Sequence, residues 1–408
     1  MSEQNDNHLN RRKFLASVGV LGAAAGIGSL PVYANQQADE RESGPVMKCS
    51  PYLQGIFHDR MVIRWITNCK CYSWVEYGES REQLNKKAHQ IIEGMVQANN
   101  TIHDITIHGL TPGKTYYYKV VSKKIEKFTA GKVTYAETES SEVYSFTTHP
   151  LKKEVVQFSV MNDVHDRPET FPHMYQYIQK GSTDFVLLNG DMFNSLRNGE
   201  AQILENLLNP LNKLFSSTVP FIFTRGNHEA RGEYARQLPD YLNGKQNKFY
   251  YSFELGPMYV IILDSGEDKE DDHPAYAGII SFDEYRVQQQ NWLEEEMQKK
   301  AFKNAKYRVV FSHIPPFYTS KKEAHGTAFV GKHWVPVLNK AKIDILFSGH
   351  THRYGIHPPV KGLHDFPIII GGGPSDGMRT IINARVDHHE MNINMIDDGG
   401  KTVGSLTI

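Results

Sequence analysis

Hydrophobic and polar residues alternate over short stretches in the first part of the chain, which is the period of two that indicates β-strands. Strand-like segments rich in β-branched and aromatic residues lie between about 47 and 148, separated by turn residues such as those at 109–113. They are 61–65, 73–77, 102–107, 115–120 and 142–146. Short strands with regular turns predict a β-sandwich, an architecture that carries too many functions to indicate one by itself.

After His149 and Pro150 the pattern changes to apolar strands separated by longer stretches with helical spacing. Helical periodicity is present at 200–215 and 281–305, and hairpins are predicted over 379–408. The predicted strands are 155–161, 185–188, 219–224, 259–263, 307–311, 343–347 and 368–370. Strands that alternate with helices are typical of an α/β domain. We therefore predict a β-sandwich domain over 47–149 and an α/β domain over 150–408.

The N-terminus combines paired arginines with a mildly apolar stretch. An Arg-Arg-Lys-Phe-Leu run at 11–15 precedes a Gly- and Ala-rich segment at 16–30, and Ala34 offers a small residue for cleavage. This pattern resembles a twin-arginine export signal; the alternative is a membrane anchor, but several glycines weaken both the helix and its hydrophobicity. We predict a signal over 1–34, a linker over 35–46, export to the periplasm or outside the cell, and no transmembrane segment in the mature chain.

Composition excludes several classes of protein. The chain has 408 residues, of which 40% are hydrophobic and 22% charged, and its net charge is -1, values typical of a soluble globular protein. No basic stripe with interleaved aromatics is present, so no nucleic-acid surface is predicted.

For Cys49, Cys69 and Cys71, buried free thiols and a disulfide from Cys49 to one of the others both remain open. The sequence leaves the oligomeric state undefined.

Metal-ligating side chains directly follow several predicted strands of the α/β domain. Because the carboxyl ends of such strands meet at one edge, we expect these side chains to converge. Carboxylate, imidazole and amide groups suit zinc, iron or manganese, and the absence of thiolate argues against copper(I) and iron–sulfur clusters. Each motif alone is weak, since Asp often caps helices and Gly-Asn-His is often a turn, but their ordered combination predicts a metal site. The residues are Asp163, His165, Asp191, Asn227, His228, His313, His350 and His352.

These motifs resemble the signature of the calcineurin-like metallophosphoesterases over about 155–374. The aromatic and Gly-Pro pattern between Trp74 and Tyr118 resembles the fibronectin-type-III-like N-terminal domain of purple acid phosphatases. The resemblance implies a four-layer α/β/β/α catalytic domain, preceded by an all-β sandwich, with two ions of iron, manganese or zinc. One ion would be held by Asp163, His165, Asp191 and His352, and the second by Asp191, Asn227, His313 and His350.

Two positions depart from the purple acid phosphatases. Asn194 stands where they have tyrosine, three residues after Asp191, and His165 stands where their first motif ends in glycine. No tyrosinate ligand and no purple colour are therefore expected. The Arg-Gly-Asn-His-Glu run at 225–229 also resembles Ser/Thr phosphoprotein phosphatases, but the Asp-Arg-Gly expected after their second motif is missing.

The resemblance implies in-line attack of a metal-bridging hydroxide on phosphorus, with Asp191 bridging the ions, Asn227 stabilising oxyanion charge and His228 acting as general acid. We predict a phosphomonoesterase of the acid phosphatase type that acts on a small phosphoester. A phosphodiesterase or nucleotide hydrolase on the same site is the alternative. A non-catalytic surface-binding protein is a third hypothesis, against which the intact ligand positions argue.

Two loops, 265–278 and 316–333, are predicted to border the pocket. Arg225, Tyr318 and His325 are candidate substrate contacts, with a salt bridge to a surface acid as the alternative for Arg225. The acidic run within the first loop is predicted to be a solvated surface. Asp264, at the end of a strand, is predicted to support the site from outside the ligand set.

Overall fold

The computed structural model describes residues 47–242, 248–317 and 324–408, and the described residues belong to one compact unit. The predicted signal, the linker and Tyr318 lie outside the described residues and stay predictions. No helix in the described ranges is both long and apolar enough to cross a membrane.

The N-terminal part is the β-rich body that the alternating pattern predicts. Because successive side chains of a strand point to opposite faces, the apolar set packs inward, and Ile63, Trp65 and Tyr118 are fully buried. The strands are β1 (Met47–Gln54), β2 (Arg60–Gly78), β3 (Lys86–Ala88), β4 (Ile91–Ile92), β5 (Met95–Val96), β6 (Ala98–His108), β7 (Thr115–Thr129), β8 (Lys132–Ser140) and β9 (Tyr144–Thr147).

Strand β2 differs from the prediction because 61–65 and 73–77 are one continuous strand. Its first half pairs with β1 and β6, and its second half pairs with β7 and β3. The register against β6 shifts between Ile66 and Cys71, where extra residues bend the strand. One strand therefore pairs with different neighbours along its two halves.

The three cysteines are free thiols. The Sγ atom of Cys49 accepts a hydrogen bond from the side-chain amide of Asn212 at 3.2 Å, and the Sγ atoms of Cys69 and Cys71 lie 3.8 Å apart. Burial raises the pKa of the Cys49 thiol to about 12, which keeps it protonated and unreactive. Of the two alternatives left open by the sequence, the structure has the free thiols.

Two sheets form the α/β body. The first has the order β21-β20-β19-β10-β11-β12 and continues into the sandwich, and the second has the order β13-β14-β15-β16-β18-β17. The strands are β10 (Val156–Met161), β11 (Phe185–Asn189), β12 (Phe221–Thr224), β13 (Tyr251–Leu255), β14 (Met258–Leu263), β15 (Tyr307–Ser312), β16 (Ile345–Ser348), β17 (Gly355–His357), β18 (Ile368–Ile370), β19 (Thr380–Val386), β20 (Met391–Asp397) and β21 (Thr402–Thr407).

Helices cover the outer face of each sheet. They are α1 (Thr170–Tyr175), α2 (Gly199–Ile203), α3 (Asn209–Leu214), α4 (Leu238–Tyr241), α5 (Phe282–Glu296), α6 (Lys300–Asn304), α7 (His325–His333) and α8 (Val335–Ala341). A π-helical turn, Leu204–Leu208, joins α2 to α3, so the helix predicted at 200–215 is nearly continuous. The helix predicted at 281–305 is instead divided into α5 and α6.

Three apolar clusters separate four layers. The central cluster lies between the two sheets, where the rings of Phe311 and Phe347 stack with centroids 4.9 Å apart and Phe158 meets both edge-on. A second cluster lies under α1–α4 and a third under α5–α8. The order of layers is α/β/β/α, which confirms the predicted fold class.

The sandwich and the α/β body share a sheet. Strand β1 pairs in parallel with β12 through Gln54 and Phe221, and Leu53 N donates to Ser216 O at 2.8 Å. The Tyr118 hydroxyl donates to the carbonyl of Ser217, also at 2.8 Å. These contacts hold the edge of β12, the strand whose carboxyl end leads into the Gly-Asn-His-Glu motif. The boundary predicted at 149–150 stays a prediction.

Candidate metal centre

The predicted ligands converge where the inner strands of both sheets end. Strand β10 leads to Asp163 and His165, β11 to Asp191, β15 to His313, and β16 to His350 and His352, while Asn227 follows β12. Several of these residues have a left-handed backbone, with φ of 52° at Asp163 and His165, 54° at Asp191, 71° at His350 and 56° at His352. Non-glycine residues rarely adopt this conformation, and it is enriched at functional sites. The chain thus turns sharply after each strand and directs these side chains inward.

Three overlapping groups of side chains place their ligand atoms within 4.8 Å of one another. One carboxylate oxygen of each aspartate lies close to an imidazole nitrogen. Asp163 Oδ1 lies 3.2 Å from His352 Nε2, and Asp191 Oδ2 lies 3.1 Å from His313 Nε2. His165 lies between them, with its Nε2 atom 3.6 Å from each oxygen. The groups are Asp163, His165 and His352; His165, Asp191 and His228; and Asp191, His313 and His350. His165 and Asp191 each belong to two of them, and Asp191 is the carboxylate predicted to bridge the ions.

Two ligand atoms of the cluster lack a hydrogen-bond partner in the part of the chain that the structure describes, as expected of atoms that bind a metal ion. Asp163 Oδ1 and His313 Nε2 are buried and have no hydrogen-bond partner among the described residues, although both point into the cluster. Buried polar atoms are rarely left in this state. The Nε2 atoms of His165 and His352 lie 3.0 Å apart, so one of them must carry a hydrogen if the two are to form a hydrogen bond. Carboxylate and imidazole ligands are those that borderline divalent ions prefer, and a bound ion would give the two buried atoms a partner.

The imidazoles are oriented by hydrogen bonds on their far side. His313 Nδ1 donates to the carbonyl of Asn189 at 2.7 Å, so Nε2 is the ring nitrogen that faces Asp191. His165 Nδ1 donates to Asn194 Oδ1 at 3.2 Å, so its Nε2 lone pair also faces the cluster. Such outer contacts fix the tautomer and orientation of metal-binding histidines.

Asn194 connects two histidines of the site. Its side chain contacts both the ring and the carbonyl of His165, and its own carbonyl accepts a hydrogen bond from His228 Nδ1 at 2.6 Å. The sequence indicated only that this position lacks tyrosine. The structure shows that Asn194 and His165 act as a pair, so the two departures from the purple acid phosphatase pattern are physically connected.

Glu229 is a residue of the site for which the sequence predicted no role. It is fully buried, and its carboxylate accepts four backbone N–H groups, from Asp191, Met192, Phe193 and Gly226, at 2.6–3.2 Å. It therefore ties the loop after β11 to the loop after β12. Its place in the Gly-Asn-His-Glu motif was the available signal, but its partners are backbone groups that no residue pattern marks.

His228 lies at the exposed side of the cluster. Its Nε2 atom is 3.9 Å from Asp191 Oδ2 and 2.9 Å from Arg231 Nη1, and a quarter of its side chain is exposed. Burial lowers the pKa of His228, and the nearby Asp191 carboxylate opposes this effect. The position at the mouth of the cluster suits a group that meets substrate.

The candidate substrate contacts Arg225 and His325 each pair with a different acidic residue. Arg225 Nη2 lies 2.6 Å from Asp264 Oδ2, so Arg225 forms the salt bridge that was the alternative prediction, but the acid is fully buried and not at the surface. Asp264 supports Arg225 from outside the ligand set, which agrees with its predicted position. His325 Nε2 lies 2.8 Å from both carboxylate oxygens of Asp283. Neither Arg225 nor His325 contacts the ligand cluster in the described ranges, so both stay predictions as substrate contacts.

The acidic run is not simply a solvated loop, and that prediction is wrong for two of its members. Glu267 is fully buried and pairs with Arg231 at 2.7 Å. The carboxylate of Asp271 accepts the N–H groups of Phe282 and Asp283 at 2.7 and 3.0 Å, which caps the start of α5.

Sequence comparisons agree with this geometry. The family model described as calcineurin-like phosphoesterase matches residues 156–354, and the one described as purple acid phosphatase, N-terminal domain, matches 51–148. Probable purple acid phosphatase 20 of Arabidopsis thaliana is 24% identical over 333 residues, which is 77% of this chain and 70% of the relative. Purple acid phosphatase 21 of the same plant is 25% identical over 342 residues, or 78% and 70%.

A solved structure shows the same fold. The purple acid phosphatase from yellow lupin (Lupinus luteus) seeds superposes with a TM-score of 0.67 at 16% identity, over 90% of this chain and 74% of that one. Fold, ligand cluster and family match together define a phosphoesterase with a calcineurin-like catalytic domain. More specifically, a purple acid phosphatase N-terminal domain precedes that domain, an arrangement whose family uses two metal ions.

Proposed function

We propose that the protein is an exported, dinuclear phosphomonoesterase of the acid phosphatase type. The observation that carries this proposal is the pair of buried atoms that make no hydrogen bond among the described residues, Asp163 Oδ1 and His313 Nε2, within a cluster that contains Asp191. The ligand sets are those expected from the sequence: Asp163, His165, Asp191 and His352 for one ion, and Asp191, Asn227, His313 and His350 for the other. Asn194 has no oxygen left for a cation without losing His165, so we propose a colourless site of iron, manganese or zinc.

When bound, the two ions would supply a Lewis-acidic pair that activates water for attack on phosphorus and offsets phosphate charge. The protein contributes orientation and proton handling. Asn227 Oδ1 lies 2.9 Å from His350 Nδ1, so the contact to His350 is made by the oxygen of the Asn227 side chain. We propose that this amide donates to a phosphate oxygen and that His228, beside Asp191, transfers a proton to the leaving group.

Replacing His228 with alanine should separate metal binding from proton transfer. For an alkyl phosphate, whose leaving group needs a proton, kcat should fall by about 10²–10⁴-fold, the usual contribution of a general acid. For p-nitrophenyl phosphate the loss should be much smaller, and the metal content should not change. Steady-state kinetics and elemental analysis measure both quantities.

The exposed His388, which lies 3.8 Å from Glu154, provides the matched control, and H388A should behave as wild type. Full activity of H228A on the alkyl ester would remove His228 from the mechanism.

The choice between monoester and diester is made by parallel assays on p-nitrophenyl phosphate and bis-p-nitrophenyl phosphate after loading with iron, manganese or zinc. A higher kcat/KM on the monoester supports the proposal, and the reverse ranking establishes the phosphodiesterase alternative. Purified protein that binds no metal after loading would restore the hypothesis of a non-catalytic binding protein.

Export through a twin-arginine signal is part of the same proposal. It is supported by the paired arginines Arg11 and Arg12 ahead of the apolar stretch. Replacing both with lysine should retain the protein in the cytoplasm at full length, as measured by cell fractionation and N-terminal sequencing. Unchanged export of R11K/R12K would contradict this route.

A further inference from the structure

Arg231 is held at the mouth of the metal cluster by acidic residues of the loop after β14. Its Nε and Nη2 atoms each donate to Glu267 at 2.7 Å, and Nη2 also donates to Asp268 at 3.0 Å. The remaining nitrogen, Nη1, faces away from both carboxylates and lies 2.9 Å from His228 Nε2. The guanidinium group therefore directs one nitrogen at the candidate general acid.

The loop that carries Glu267 is itself fixed. The fully buried Arg286 donates from Nε to the carbonyl of Ser265 at 2.8 Å and from Nη2 to the carbonyl of Glu267. The N–H of Gly326 donates to the carbonyl of Asp268 at 2.9 Å. A fully buried carboxylate is costly unless it is paired, so Arg231 and Glu267 fix each other in place. Arg231 is thus a donor whose position is set before any ligand arrives.

The protonation of His228 follows from its neighbours. Its Nδ1 atom faces the carbonyl of Asn194, which can only accept, so Nδ1 carries a hydrogen. Arginine can only donate, so Nε2 accepts from Arg231 in this arrangement. The hydrogen-bond donor that faces the mouth of the site is then Arg231, and about a fifth of its side chain is exposed to solvent.

We propose that Arg231 is a substrate-binding residue of this centre, with Nη1 donating a hydrogen bond to the leaving-group oxygen of the phosphoester. This inference rests on the proposed phosphomonoesterase function. As the ester bond breaks, negative charge develops on the oxygen of the leaving group, and a fixed guanidinium group stabilises that charge more than it stabilises the ground state. For His228 to act as the acid, a proton from solvent must replace the Arg231 hydrogen bond at Nε2; Nη1 is then available to donate to the same oxygen, so His228 acts by proton transfer and Arg231 by charge.

The position makes a kinetic prediction. R231Q should lower kcat on an alkyl phosphate by about 10²–10³-fold, the usual cost of removing one transition-state donor. The loss on p-nitrophenyl phosphate should be clearly smaller, because that leaving group is stable as an anion. R231K should recover part of the loss, since it restores a positive charge without the fork geometry. Metal content should stay unchanged in both variants.

R236Q is the matched control. Arg236 lies five residues further along, is exposed, and donates to the carbonyl of Ile279, so its replacement should leave both substrates unaffected. Equal losses on the two esters with R231Q, or no loss on either, would overturn the inference, because a purely structural role does not depend on the leaving group.

A double-mutant cycle with His228 shows whether Arg231 acts directly. In an H228A background, R231Q should still lower kcat on the alkyl phosphate, because Arg231 contacts the substrate itself. If R231Q has no further effect in that background, Arg231 only positions His228 and the proposed substrate contact is wrong.

Binding of inorganic phosphate separates this inference from the proposed function. Calorimetric titration of the metal-loaded protein should show about tenfold weaker phosphate binding for R231Q than for wild type or R236Q, near the value of one charge-assisted hydrogen bond. Weaker phosphate binding by R231Q would support the substrate contact of Arg231 even if the wild-type protein hydrolyses neither ester. Absence of hydrolysis by the wild type would overturn only the proposed phosphomonoesterase function. Unchanged binding would overturn the role of Arg231 while leaving the hydrolase intact.

Discussion

D191N should abolish turnover while the protein remains folded. The amide keeps the shape of the carboxylate but removes the charge that His165, His228 and His313 all face. Asp191 is shared by two ligand groups, so its charge serves both proposed ions. Loss of one transition-state donor costs about 10²–10³ in kcat, so loss of a shared charged ligand should cost about 10³-fold or more.

Elemental analysis should show that D191N retains fewer than two ions per chain, and far-ultraviolet circular dichroism should remain that of wild type. D376N is the control, because Asp376 is exposed and pairs only with Arg379 among the described residues. A D191N protein with two bound ions and normal kcat would show that Asp191 is not the shared ligand.

The second large effect is on stability rather than chemistry. E229Q should lower the free energy of unfolding by about 1–3 kcal/mol, the usual cost of leaving a buried hydrogen-bond donor unsatisfied. A glutamine amide group in place of one carboxylate oxygen would face backbone N–H donors and leave them unsatisfied. Because these N–H groups belong to the loops after β11 and β12, the variant should also lose metal.

Urea unfolding monitored by tryptophan fluorescence measures this change. Glu294, an exposed residue of α5, supplies the control, and E294Q should unfold at the urea concentration of wild type. An E229Q protein with unchanged unfolding free energy and metal content would mean that the two loops hold their positions without Glu229.

The ligand set was predictable from sequence because each ligand follows a strand at once. Parallel strands end at a common edge, so the strand pattern alone brings Asp163, Asp191 and His313 together. The Arg231–Glu267 pair was not predictable, because its two residues belong to different loops with no periodic pattern. In the sequence Glu267 is one acid among several in a charged run. Only the structure, in which Arg286 binds the backbone of this loop, shows why Glu267 is buried.

The fold class was likewise predictable, whereas details of its elements were not. Strand β2 was divided in the prediction because its middle is polar, and the structure shows that this region is where pairing changes from β6 to β7. The reverse occurs after α5, where Met297 and the residues that follow leave the helix although their spacing is helical. Strand β2 is continuous because it pairs with residues distant in the sequence, whereas the helical segment is divided by a local turn between α5 and α6.

The left-handed backbone at residue 165 has a consequence for which side chains this position can carry. Glycine adopts this conformation freely, and a side chain there carries a strain of order 1–3 kcal/mol. Glycine, which the sequence comparison with the purple acid phosphatase pattern places here, would therefore relieve that strain at the cost of the imidazole. In this chain the strain is offset by what His165 contacts, including Asn194 on its far side. The backbone at residue 165 thus permits either a side chain that can hold an ion or none, and the choice between them does not depend on the fold.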